Sequence, residues 1–183
     1  MRHLPNLLTV LRIILVFPLI YALLQQDMKL AFWLFFAAGW TDLFDGYLAR
    51  NFKLKSKLGA FLDPLADKLL MGSTYILTAY LGLIPLSLMF LVITREIAMM
   101  IGLMTYYFVL GAPKFKANFI SKVNTVVEGI LMLNVLLSAS GYIILPLWVH
   151  YVLIAGVVIT ILWSFILYAK QGLADLRRHG ERQ

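Results

Sequence analysis

The stretch TDLFDGYLARNFKLKSKLGAFLDPLAD, residues 41–67, sets four aspartates into a chain that is 62% hydrophobic. On a helix advancing about 100° per residue, Asp42 and Asp45 lie about 60° apart, and Ala49 falls within about 20° of Asp42. Asp63 and Asp67 are i and i+4 neighbours and stack on one helical face. A short link makes the two helices antiparallel neighbours, so all four carboxylates can meet in one cleft. Four like charges need a counter-charge. Hard divalent cations with oxygen ligands supply it, and Mg²⁺ in particular is held by carboxylates together with substrate phosphates. Gly46, Ala49, Gly59 and Ala60 bracket the acids and let a helix or a flat ligand come close to the backbone. Arg50 adds a fork of donors suited to a phosphate. Such a set can promote displacement at phosphorus in a phosphoanhydride, with two cations roughly 3.5–4 Å apart stabilising the attacking and leaving oxygens.

These residues must be positioned by elements that suit so apolar a chain. At 183 residues and 14% charged, the sequence lies outside the usage of soluble domains and inside that of membrane proteins. It reads as one membrane domain over 1–183. About 20 apolar residues cross a hydrocarbon core, and six runs of about that length occur: Leu7–Leu24, Leu30–Leu48, Ala60–Leu83, Leu86–Leu110, Phe119–Ala139 and Leu145–Ala169. Gln25-Gln26-Asp27, the basic stretch Lys53 to Lys57, Gly82-Leu83-Ile84-Pro85, Gly111 to Lys114 and Ser140-Gly141 separate them with residues typical of turns. The expected fold is all-α, an integral membrane protein of six transmembrane helices.

Lysine and arginine collect on cytoplasmic loops. In a six-span chain Arg2, the Arg50 to Lys57 loop, Lys114, Lys116, Arg177 and Arg178 all fall on one side, with Lys29 the main exception. Both termini are therefore expected to face the cytoplasm, with the aspartate cleft near the cytoplasmic surface. The first apolar run is span-length and no A-x-A-like site follows it, so it is expected to be retained. The net charge of +7 follows from this topology and from attraction to anionic headgroups, and does not point to nucleic acid. There is no cysteine, which excludes disulfides and thiolate metal sites.

Intramembrane acids also serve as helix-pairing groups or as parts of transporters and ion pathways. A transporter predicts acids at the bilayer midplane and internal pseudo-symmetry, and neither is evident. Four acids in two tight pairs flanked by Gly, Ala and Arg favour a built site. Further along, Arg95 and Glu96 lie in the fourth span, Lys122 and Glu128 in the fifth. Arg95 with Glu128, or Lys122 with Glu96, could be interhelical ion pairs. Alternatively Arg95 and Lys122 form a basic pocket for a phosphate. Pro5-Asn6 before Leu7-Leu8-Thr9 can be the turn and N-cap of the first helix. His3, His150 and His179 lack metal-ligand spacing.

Asp42-x2-Asp45-Gly46-x2-Ala49-Arg50-x8-Gly59-x3-Asp63-x3-Asp67 matches every fixed position of the signature D-x2-DG-x2-AR-x8-G-x3-D-x3-D, so the chain resembles the CDP-alcohol phosphotransferase family. The six-span count and the opening Pro5-Asn6-Leu7-Leu8-Thr9-x2-Arg12 resemble its phosphatidyltransferase branch, so the likeness covers nearly the whole chain. The resemblance implies that a CDP-diacylglycerol donates its phosphatidyl group to an alcohol and releases CMP, with two Mg²⁺ or Mn²⁺ ions as cofactors. It implies that Asp42, Asp45, Asp63 and Asp67 hold the metals, Asp67 also acting as general base on the acceptor hydroxyl. It further implies that Gly46, Ala49 and Gly59 shape the cytidine pocket beside Arg50. Asn6, Thr9 or Arg12 then reach the donor's phosphates, and Arg95 and Lys122 take the acceptor's. A homodimer, in a bacterial-type or mitochondrial inner membrane, is implied in the same way.

Phe119-Ile120-Ser121-Lys122-Val123-Asn124-Thr125 resembles the F-x-S-K-x-N-T pattern of the mitochondrial-type cardiolipin-forming branch, whereas the branch acting on glycerol 3-phosphate shows G-K-x-K-T. Asn124 thus stands where a second lysine would be. A phosphomonoester carries nearly two negative charges and a phosphodiester one. The expected acceptor is therefore phosphatidylglycerol, with glycerol 3-phosphate the alternative.

Overall fold

Long runs of Leu, Ile, Ala, Phe and Met favour helix, because every backbone group must be satisfied within the segment where no water is at hand. The computed structural model describes residues 4–52, 57–110, 119–143 and 145–180, without the side chains at 4–8, 43–52, 57–61, 63–64, 103–110, 119 and 169–180. Among the described residues there are six α-helices: α1 (Leu4–Leu24), α2 (Met28–Phe52), α3 (Lys57–Tyr80), α4 (Leu86–Leu110), α5 (Phe119–Ala139) and α6 (Leu147–Gly180).

Helices α4 and α5 coincide with the expected runs. By contrast α2 continues through Arg50 to Phe52, and α6 continues past Ala169 to Gly180. Hydropathy registers the thickness of a bilayer, whereas a helix continues for as long as its backbone bonds and residue propensities allow. The α3 helix stops earlier than the apolar run because Gly82 takes a left-handed φ of 73°. Its N–H bonds Ala79 O at 3.0 Å and that of Leu83 bonds Thr78 O at 2.9 Å, a Schellman closure. Gln26 closes α1 in the same manner at φ 57°. Asp27 then caps α2, its Oδ1 accepting from the Leu30 N–H at 3.1 Å.

Two segments, Ile120–Ala139 and Leu147–Tyr168, of 20 and 22 residues, are long and apolar enough to cross a membrane among the described residues, and Thr9–Leu24 is apolar but shorter. Asp42 on α2 and Arg95 and Glu96 on α4 place charged residues within apolar helices. Large apolar side chains are nonetheless widely exposed, among them Phe17 at 70%, Tyr80 at 77% and Leu147 at 76%. An apolar surface of this extent fits a hydrocarbon environment better than water.

The chain divides into two compact units, Met1–Leu86 with Met132–Pro146, and Ser87–Leu131 with Leu147–Gln183. In the first, α1 packs against α2 and α3. Its buried stripe is Thr9, Arg12, Val16, Leu19 and Leu23, spaced three and four apart, as a helix seam requires. Ala31, Phe35 and Ala38 of α2 and Ala66, Leu70, Thr74 and Thr78 of α3 are also buried, the alanines being small enough for close helix approach. Near the start of α2, Lys29 lies over the Tyr142 ring at 5.7 Å, and the Trp33 Nε1–H donates to Tyr142 Oη at 3.3 Å. This cation–π contact gives Lys29, the exception in the charge pattern, a partner of its own. In the second unit Leu88, Val92, Leu131, Val157 and Ile161 are buried.

Candidate active site

Asp42 follows the buried Ala31–Phe35–Ala38 stripe of α2 by one further helical step, and Asp67 is next to buried Ala66 on α3. Both therefore emerge where two packed faces meet α1. The residue waiting there is Arg12, on the seam of α1 and fully buried. Its Nη1 lies 2.9 Å from Asp42 Oδ1 and 3.1 Å from Asp67 Oδ1, while the two aspartate side chains remain 47% and 45% exposed. A buried guanidinium thus gathers carboxylates from two helices from behind, and their other faces stay open.

This geometry bears on the expected metals. Two carboxylates converge on one positively charged atom, and they offer the hard oxygen donors that Mg²⁺ and Mn²⁺ take. The residues present fit such an ion. Among the described residues no group of three or more His, Asp or Glu side chains is assembled. Asp45 is carried by α2 and Asp63 by α3, with side chains outside the described set. The same holds for Gly46, Ala49 and Arg50 near the end of α2, Gly59 near the start of α3, and Asn6 in the first turn of α1. Thr9 is buried, one helical turn before Arg12 on the same seam.

In the second unit Arg95 is buried. It pairs with its neighbour Glu96, and its Nη2–H donates to Ser121 Oγ on α5 at 2.9 Å. Lys122 is exposed. Glu128, buried on α5, accepts from Asn124 Nδ2 at 2.6 Å and lies within electrostatic reach of Arg95. Asn124 is itself fully buried, and its Oδ1 accepts from the Thr160 hydroxyl on α6 at 2.7 Å. Both ends of the amide are therefore spent on protein partners. The Thr160 link has no signal in the sequence, since nothing local ties residue 160 to residue 124. Arg12 had a signal: an arginine inside an apolar span, in step with Thr9 and Val16.

The family described as CDP-alcohol phosphatidyltransferase matches residues 2–163. The chain is 42% identical over 145 residues to "Cardiolipin synthase (CMP-forming)" of Rattus norvegicus, covering 70% of this chain and 48% of the relative. It is 39% identical over 145 residues to the protein of the same name in Homo sapiens, with the same coverage. A Mycobacterium tuberculosis protein named "Probable phosphatidylglycerophosphate synthase" is 31% identical over 182 residues, covering 95% of this chain and 83% of the relative. The chain thus spans about half the length of its rat and human relatives and most of the length of the mycobacterial one. With the whole signature in place on α2 and α3, and the match running from α1 into α6, the chain belongs to the CDP-alcohol phosphatidyltransferase family.

Proposed function

We propose that the protein is a metal-dependent membrane enzyme that moves the phosphatidyl group of CDP-diacylglycerol to phosphatidylglycerol, forming cardiolipin and releasing CMP. The observation that carries this reading is the convergence of Asp42 and Asp67, the first and last acids of the signature, on one point between α1, α2 and α3. With Asp45 and Asp63 they would hold Mg²⁺ or Mn²⁺. When bound, such ions neutralise the donor's diphosphate and the departing CMP. Asp67 takes the proton from the acceptor hydroxyl, whose oxygen forms a bond to the phosphatidyl phosphorus as the phosphoanhydride bond to CMP breaks. Gly46, Ala49, Gly59 and Arg50 line the cytidine-diphosphate pocket, with Asn6 and Thr9 contributing from α1.

The acceptor choice is supported by charge. Asn124 is neutral and buried, Arg95 is countered by Glu96, and Lys122 is exposed. A modest cationic demand suits a phosphodiester, and the cardiolipin synthases of rat and human favour the same acceptor by likeness. Glycerol 3-phosphate is the second reading, favoured by the mycobacterial relative that the chain matches over most of its length. Six spans, cytoplasmic termini and a cleft near the cytoplasmic surface complete the proposal.

Purified protein in mixed micelles with CDP-diacylglycerol and phosphatidylglycerol should release CMP and form cardiolipin. Chelator should abolish this, and added Mg²⁺ or Mn²⁺ should restore it. Full activity in excess EDTA would remove the metal-dependent reading. Phosphatidylglycerophosphate from glycerol 3-phosphate, with no cardiolipin, would exchange the acceptor and leave the reaction class intact.

A further inference from the structure

Arg12 lies outside the aspartate signature, yet it supplies the charge that the signature's first and last acids meet. One nitrogen, Nη1, contacts Oδ1 of Asp42 at 2.9 Å and Oδ1 of Asp67 at 3.1 Å. The guanidinium is sealed within the protein and the carboxylates are half open. The arrangement is therefore one-sided: a permanent positive charge behind two acids whose exposed faces remain available.

Two physical consequences oppose each other. Without a cation, Asp42 and Asp67 would repel at this separation, so Arg12 favours the packing of α1 against α2 and α3. The same charge also repels any dication approaching the open faces, and it occupies acceptor capacity on both carboxylates. Arginine suits this role because it stays protonated at every relevant pH and is weakly hydrated, which lowers the cost of burying it.

We infer that Arg12 is a built-in counter-cation of the Asp42–Asp67 pair, holding the two carboxylates together in the metal-free protein and weakening their affinity for a divalent ion by competing for them. This deepens the metal-dependent reading above and rests on it. A purely structural ion pair behaves differently: its loss lowers stability and leaves metal affinity no tighter.

The test measures Mn²⁺ binding directly, by the loss of the free-ion electron paramagnetic resonance signal, on the full chain in detergent without substrates. Thermal unfolding is followed in EDTA and in saturating Mn²⁺. Wild type, Arg12→Gln and Arg12→Lys are compared, each purified with Mn²⁺ present. Arg12→Gln should bind Mn²⁺ about tenfold tighter or more, because a unit charge within a few ångström at an effective dielectric near 20 is worth more than the energy of one decade in affinity. It should melt below wild type in EDTA and recover most of the difference in Mn²⁺. Arg12→Lys, which keeps the charge on a shorter side chain that reaches the two carboxylates less closely, should fall between the two in affinity. It keeps the test decisive if the glutamine variant does not fold. Equal or weaker Mn²⁺ affinity in the folded variants overturns the inference while leaving the metal reading standing. No Mn²⁺ binding by wild type or by either variant overturns both.

Discussion

Asp42 and Asp67 share a single guanidinium nitrogen, but their proposed roles differ, so their conservative variants should fail differently. With Asp67 acting chiefly as the base, Asp67→Asn removes the proton acceptor while the shape and the three other proposed metal ligands remain. It should bind the CDP-diacylglycerol donor with near-normal KM while turnover falls about 10²–10⁴-fold, the range of general-base catalysis. Asp42→Asn removes a ligand and a charge without touching the proposed base. It should raise both the Mn²⁺ requirement and the donor KM. Steady-state CMP release with donor and Mn²⁺ varied separately distinguishes the two, and near-normal turnover in Asp67→Asn would take that residue out of the base role. The acids were legible because the signature is contiguous and its members are set by helical spacing. Arg12 is legible as an arginine in an apolar span and as the last position of the Pro5-Asn6-Leu7-Leu8-Thr9-x2-Arg12 pattern, but not as the partner of two aspartates. Its two carboxylate partners lie on other helices, Asp67 being 55 positions away.

At the scale of the elements, the buried polar chain of α5 and α6 makes its own prediction. Asn124 donates to Glu128 within α5 and accepts from Thr160 on α6. Hydrogen bonds between helices in lipid average about 0.6 kcal/mol, whereas removing a hydrogen bond made to a buried acid costs about 1–3 kcal/mol. Asn124→Leu should therefore destabilise the protein by about 1–3 kcal/mol, and Thr160→Val by about 0.6 kcal/mol. Thermal or denaturant unfolding in detergent gives the order. Equal losses would mean that Asn124 acts through Thr160 rather than Glu128. The sequence reading placed Asn124 by its lack of charge alone. Its burial could not be read locally, because Lys122 and Thr125, two positions before and one after it, are exposed.

For the whole molecule, the prediction concerns orientation, and the absence of cysteine suits the chain to single-cysteine labelling. The distribution of lysine and arginine predicts the link between α2 and α3 in the cytoplasm and the link between α3 and α4 on the other side. In sealed inside-out vesicles a membrane-impermeant maleimide should label Lys55→Cys and spare Pro85→Cys. The reverse pattern would invert the proposed topology and with it the side on which the site opens. The two helices that pass as membrane spans on composition among the described residues belong to α5 and α6.

What the sequence determined by itself is what depends on neighbours along the chain: six helices, their turns at Gln26 and Gly82, and the signature that assigns the family. Helical periodicity and turn chemistry act over a few residues, so a string of letters contains them. The tertiary structure alone decided that Arg12 of α1 stands behind Asp42 of α2 and Asp67 of α3, and that Asn124 spends its amide on Glu128 and Thr160. Those pairings depend on which helix faces meet and at what depth. That is settled by packing small residues such as Ala31, Ala38 and Ala66 against their neighbours, and no spacing rule within one helix specifies it.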